Sequence, residues 1–289
     1  MFDRFATGYH IGRSCWAVLR DDKKLLLFPL ISGIACLVIL SSFALPIAIF
    51  QPQGLAALFD GDNARDAAQN LPWWVWALTF AFYFCNYFVI YFFNAALVHC
   101  ALFRFRGMES GVDDGLRAAV RRLPEIIGWA VVSATVGLLL KAIENSHKNA
   151  SSLISALLGT AWAILTYFVV PVLVVERVGP LQAIARSGQI VKNTWGEALG
   201  GRIGLWWFLL PFWLVGIVLF IGGAFLCGAV LPLGIALLAV AVLYMIVLGL
   251  VNSALETILL SGLYLYATRG EVPEQMDREV LQNAFYSRP

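Results

Sequence analysis

VLPLGIALLAVAVLYMIVLGLVNSALETILLSGLYLY, residues 230–266, is an apolar run holding one carboxylate, Glu256, and no basic side chain. The hydrocarbon core of a bilayer is crossed by about 20 consecutive apolar residues in helical form. A run this long reads as one membrane-crossing helix that continues past the hydrocarbon edge. Five further runs of the same kind precede it, at about 25–50, 73–103, 126–143, 153–175 and 203–221. With 60% hydrophobic and 13% charged residues, the chain lies far from the roughly 45–50% apolar and 25% charged composition of soluble domains. The fold class expected is all-α: a polytopic membrane bundle of six spans in three hairpins, over residues 25–268. An N-terminal interfacial helix (1–24) precedes it and a cytoplasmic C-terminal helix (269–289) follows.

Orientation follows from the basic residues of the loops. With the N-terminus inside, seventeen of the twenty lysines and arginines fall on the inner segments, and only Arg65, Lys141 and Lys148 fall outside. Both termini are therefore expected in the cytoplasm, in a plasma membrane that would be a bacterial inner membrane. Thirteen of the eighteen acids share that inner face. The remaining excess of positive charge is too thin for a nucleic-acid surface. The N-terminus lacks the charge pattern and cleavage site of a secretory signal. Trp73, Trp74 and Trp76 mark the outer end of the second span, as aromatic belts do.

Each inner segment ahead of an odd-numbered span reads as an amphipathic helix. In the first, Phe2, Phe5, Tyr9, Trp16 and Leu19 share a face. The second takes Ser110 as N-cap and carries a stripe of Val112, Leu116, Val120 and Leu123. Its acids Asp113 and Asp114 come early and Arg117, Arg121 and Arg122 late, which suits the helix dipole. The third opens at Pro180, with Leu181, Ile184, Gly188, Val191 and Trp195 along one side. Such helices either insert into the headgroup boundary or brace the spans from below. Trp16, Lys192 and Trp195 are the expected interfacial anchors, and membrane lipids the expected partners. Homo-oligomerisation and an unidentified protein partner stay open. A C-terminal helix is expected after Pro273. In the outer loop, Asp60, Asp62 and Asp66 lack the ligand pattern of an EF-hand.

The stretch ARSGQIVKNTWGEALG, residues 185–200, resembles an A-R-S-x-x-x-V-K-x-x-W joint. That joint belongs to a broad group of uncharacterised prokaryotic six-span membrane proteins. They are similar to the membrane domain attached to some glycerophosphoryl diester phosphodiesterases. The resemblance implies the hairpin plan. The phosphodiesterase chemistry of those proteins belongs to a separate soluble barrel and is not implied for this chain.

Ionisable and amide groups inside spans are costly and each needs a reason. Glu256 and Asn252 lie one helical turn apart in the last span. Asn94 and Asn86 lie in the second, among Tyr83, Tyr87 and Tyr91. A Glu256–Asn94 contact supported by Asn252 would form either a packing clamp between spans or a midplane site for a proton, cation or polar headgroup. His10, His99 and His147 are far apart, the five cysteines form no metal spacing, and no P-loop, H-E-x-x-H or nucleophile elbow is present. No catalytic residue, metal or cofactor is expected. The leading expectation is a non-enzymatic membrane-organising or lipid-interacting protein, and the second a small-solute or ion transporter using the Glu256 region.

Overall fold

A computed structural model describes residues 2–50, 73–146 and 151–270, with side chains at 12–45, 74–143, 154–194, 204–228 and 230–270. Among the described residues the regular structure is helical, with no strand. The helices are α1 (Phe2–Asp21), a 3₁₀ turn (Lys23–Leu26), α2 (Leu27–Phe50), α3 (Trp73–Phe105), α4 (Val112–Val120) and α5 (Leu123–Ser146). They continue as α6 (Ser151–Leu165), α7 (Val169–Glu176), α8 (Pro180–Asn193), α9 (Trp195–Ala229) and α10 (Leu231–Arg269). Six stretches are long and apolar enough to cross a membrane: Lys23–Leu45, Trp74–Phe105, Leu123–Ile143, Ile154–Glu176, Gly204–Gly228 and Leu231–Arg269. The chain is an all-α multi-pass membrane protein. The outer loop with Asp60, Asp62 and Asp66, and the C-terminal helix expected after Pro273, lie outside the described residues.

The chain divides into two compact units. The first comprises Met1–Leu30, Ala96–Gly115 and Lys192–Pro289, the second Ile31–Ala95 and Leu116–Val191.

In the first unit α9 and α10 form the last hairpin, and α1 packs against both. The hairpin closes tightly because glycine removes side chains where backbones meet. A Cβ on Gly234 would collide with the backbone of Cys227, one on Gly223 with Leu238, and one on Gly216 with Met245 and Tyr244. These three pairs hold one antiparallel register. Carried onward, it sets Trp206 level with Leu255, beside Glu256. On α1, Gly12 lets the backbone press onto Phe208, whose Cβ would lie 2.6 Å from an added methyl. The buried face of α1 is Cys15, Val18 and Leu19, with Trp16 left 41% exposed. Burial pushes the Cys15 thiol up to about 12.

α4 differs from its expected form. Gly111 takes the capping position, its N–H donating to Asp114 Oδ2 at 3.0 Å, while Ser110 Oγ lies 3.5 Å from Cys100 Sγ. Its buried residues are Gly115 and Ala119, and Val120 of the expected stripe is 51% exposed. Small residues permit the closest approach. A Cβ on Gly115 would meet Cys100 Sγ, the Ala96 carbonyl and the Phe28 ring within 3 Å.

In the second unit an aromatic row runs Tyr83, Tyr87, Tyr91, Trp129, Trp162, with successive ring centroids 5.7–6.1 Å apart. Tyr91 Oη donates to Ser133 Oγ at 3.1 Å. The fourth span, read from sequence as one helix over 153–175, is broken at Thr166–Phe168 between α6 and α7. Pro171 supplies the reason. It has no N–H for the Tyr167 carbonyl, and its ring crowds that group.

Candidate functional site

The joint between α7 and α8 gives a physical account of the ARS motif. Breaking the fourth span strands the Phe168 N–H, and Ser187 Oγ accepts it at 3.0 Å in a fully buried position. Next to it, Arg186 Nε donates to both Glu176 oxygens, at 3.0 and 3.1 Å. Arg177 ends α7 at φ 58, ψ 42, a left-handed conformation that L side chains adopt at a cost of about 1–2 kcal/mol. Burial, and then repulsion from Arg177, pull the Arg122 guanidinium below its usual range, opposed by Glu125. Gly188 admits Leu165, and Gly128 admits Pro180. The buried residues of α8 are Ala183, Ser187, Ile190 and Val191. The expected apolar stripe is therefore turned partly outward, and Leu181 is 74% exposed. Lys192 is exposed. Trp195 opens α9 instead of continuing α8, and its side chain lies outside the described residues.

The first unit contains an apolar cleft of about 240 Å³, lined by Trp16, Phe208, Leu209, Phe212, Tyr244, Val247, Leu248 and Val251. Pro211 lies inside α9 at this level and cannot donate to the Trp207 carbonyl, leaving the helical ladder one bond short. Tyr244 Oη donates to the Phe212 carbonyl at 3.0 Å and ties α10 to α9 across the cleft. The cleft is open at its rim, where Phe212 and Val247 are 47% and 52% exposed.

Asn252 and Glu256 continue the i, i+4 row from Leu248, which lines the cleft. Asn252 Nδ2 donates to Glu256 Oε1 at 3.4 Å. Asn252 is half-buried and Glu256 exposed, although Ala254, Leu255, Thr257, Ile258 and Leu259 around them are buried. The large exposed apolar side chains of α10 run from Leu231 to Val247 and stop, covering about 24 Å at 1.5 Å per residue. On α9 they run from Trp206 to Phe225, about 28 Å by the same rise. Carried by the same register, Glu256 lies level with Trp206, at the end of the hairpin away from the α9–α10 turn.

Asn94 and Asn86 belong to the second unit, and both are half-buried. Asn86 Nδ2 donates to the Phe82 carbonyl of its own helix at 2.9 Å, which satisfies it locally. His99 stacks on Phe103 with centroids 4.4 Å apart. Among the described residues no three His, Cys, Asp or Glu side chains cluster to hold a metal.

Sequence reasoning found the Asn252–Glu256 pair through its helical spacing and missed the cleft. Trp16 and Val251 are too far apart in the chain for any local pattern to join them. The available signal was the proline among aromatics, Trp206-Trp207-Phe208…Pro211-Phe212, which places a ladder defect in a span.

No curated protein and no solved structure matches the chain. A family model matches residues 74–273, from the start of the second span through the last and including every cleft residue except Trp16. The chain thus belongs to DUF6159, a family of unknown function.

Proposed function

We propose that this protein is a non-enzymatic lipid-interacting component of a bacterial inner membrane, with both termini in the cytoplasm. The observation that carries the proposal is the cleft between α1, α9 and α10. The polar side-chain groups of its lining are the Trp16 indole N–H and the Tyr244 hydroxyl, and the latter is engaged with Phe212. At the inner boundary, an open apolar cleft beside a lipid-facing band is suited to an acyl chain of the inner leaflet. The exposed positions of Trp16 and Val120 agree with helices facing that leaflet. The resemblance of residues 185–200 to proteins with a phosphodiesterase-linked membrane domain supports a lipid-facing role and carries no activity with it.

A transporter reading draws on the broken fourth span, since discontinuous helices build many transport sites. Here the Phe168 N–H freed by the break is taken up by buried Ser187. The break is better explained as architecture.

Electron spin resonance of a chain-labelled phospholipid in liposomes tests the lipid reading. The native protein is expected to give a motionally restricted lipid component that shrinks in Val247→Trp, which fills the cleft. An unchanged component in a folded Val247→Trp protein would remove the proposal. Proton flux in the same liposomes tests the transporter.

A further inference from the structure

We propose that the open end of the hairpin formed by the third and fourth spans binds a phosphate group between the guanidiniums of Arg122 and Arg177. The site belongs to the second unit and does not depend on the cleft, so it goes beyond the lipid reading above.

Chain order and packing bring the two arginines to one corner. Arg122 directly precedes the third span at Leu123, and Arg177 directly follows the fourth at Glu176. α5 and α6 pack together as a hairpin, so these two ends open on the same side. Pro180 sits so close to Gly128 that an added Cβ would lie 2.8 Å from its ring. That contact ties the α7–α8 joint to the start of α5. Burial first, and then the charge of Arg177, pull the Arg122 guanidinium below its usual range, so each cation feels the other.

The acids of this corner do not cancel its cations. Arg186 Nε takes both oxygens of Glu176, at 3.0 and 3.1 Å. Glu125 meets Arg122 only at 3.7 Å, long for a charge-assisted hydrogen bond. Three guanidiniums are thus set against two carboxylates, and one positive charge is left over. Arg177 carries it: the residue is exposed and, among the described residues, makes no hydrogen bond or ion pair. It also holds φ 58 at a helix end where glycine is the usual, unstrained choice. The guanidinium is kept here against the preference of the backbone. An anion between the two arginines relieves their repulsion. Phosphate suits them because its oxygens match the guanidinium fork and can accept from two forks at once. Beside the ends of spans, a phospholipid headgroup or free phosphate can supply it.

Calorimetric titration of the delipidated full-length protein in maltoside micelles tests this, with inorganic phosphate and, separately, a short-chain phosphatidylglycerol. Diacylglycerol of the same chains controls for binding of the tails. Both phosphate-bearing probes are expected to bind. Arg177→Gly should weaken them about tenfold or more, as loss of a charged hydrogen-bonding group does, while diacylglycerol binding stays unchanged. Glycine keeps the left-handed turn, so the fold is preserved. Arg269→Gln, which removes an exposed arginine of the first unit, should leave phosphate affinity unchanged. Binding of the phospholipid alone would assign the source to a headgroup, and binding of inorganic phosphate alone to solution; either supports the site. Binding of neither probe, undiminished affinity in a folded Arg177→Gly protein, or an equal loss in Arg269→Gln would overturn it.

Discussion

Ser187 and Cys15 show how single polar atoms are handled in this chain. Ser187 is fully buried and its hydroxyl accepts the Phe168 N–H that the broken span leaves over. Ser187→Ala should therefore lower stability by about 1–3 kcal/mol, the cost of a stranded buried donor. Gln189, exposed on the same helix, should change it by less than about 0.5 kcal/mol when made Ala. Thermal unfolding in detergent compares the two. Cys15 carries a pH dependence. Its thiol titrates at 9.0 when unperturbed and is raised to about 12 by burial. The unfolded chain loses this proton first, so the group's contribution is intact below pH 9 and is lost as pH rises from 9 towards 12. The native protein should destabilise more steeply over that window than Cys15→Ala. Parallel curves for the two would show that Cys15 is not held as a buried thiol.

Helix packing in lipid rewards close approach more than apolarity, because the surrounding chains are as apolar as leucine. This explains which elements the sequence revealed. The existence and extent of the spans were legible, since hydrocarbon thickness imposes a length. The continuity of α10 was legible too. The faces were not: α4 buries Gly115 and Ala119 instead of its valine and leucine stripe, and α8 buries Ala183 and Ser187 instead of Leu181. The break before Pro171 was not legible in the run 153–175, because sequence does not say whether a neighbouring side chain stands ready to cap it. The α9–α10 hairpin offers a direct contrast. Gly234→Ala would drive a methyl into the Cys227 backbone and should cost about 1–3 kcal/mol as overpacking. Gly249, in the same helix, has open space around its Cβ position. Gly249→Ala should stabilise α10 by up to about 1 kcal/mol through helix propensity alone. Thermal melts of the two variants should move in opposite directions. A shared direction would mean the hairpin is not closed by its glycines.

For the molecule as a whole, orientation is the expectation that rests most firmly on composition. A reporter fused after Pro289 should read cytoplasmic and one inserted at Asn63 external; a cytoplasmic reading at Asn63 would sink the six-span arrangement. The Asn252–Glu256 pair was visible as a spacing, but the exposure of Glu256 among buried neighbours was not. Exposure depends on which helices cover a residue, and that is a property of the packed helices. The length of α10 has a mechanical consequence. Its 39 residues reach about 58 Å at 1.5 Å per residue, roughly twice the average hydrocarbon thickness of about 30 Å. A displacement at one end of this helix would therefore be carried through the bilayer and beyond it by a single rod.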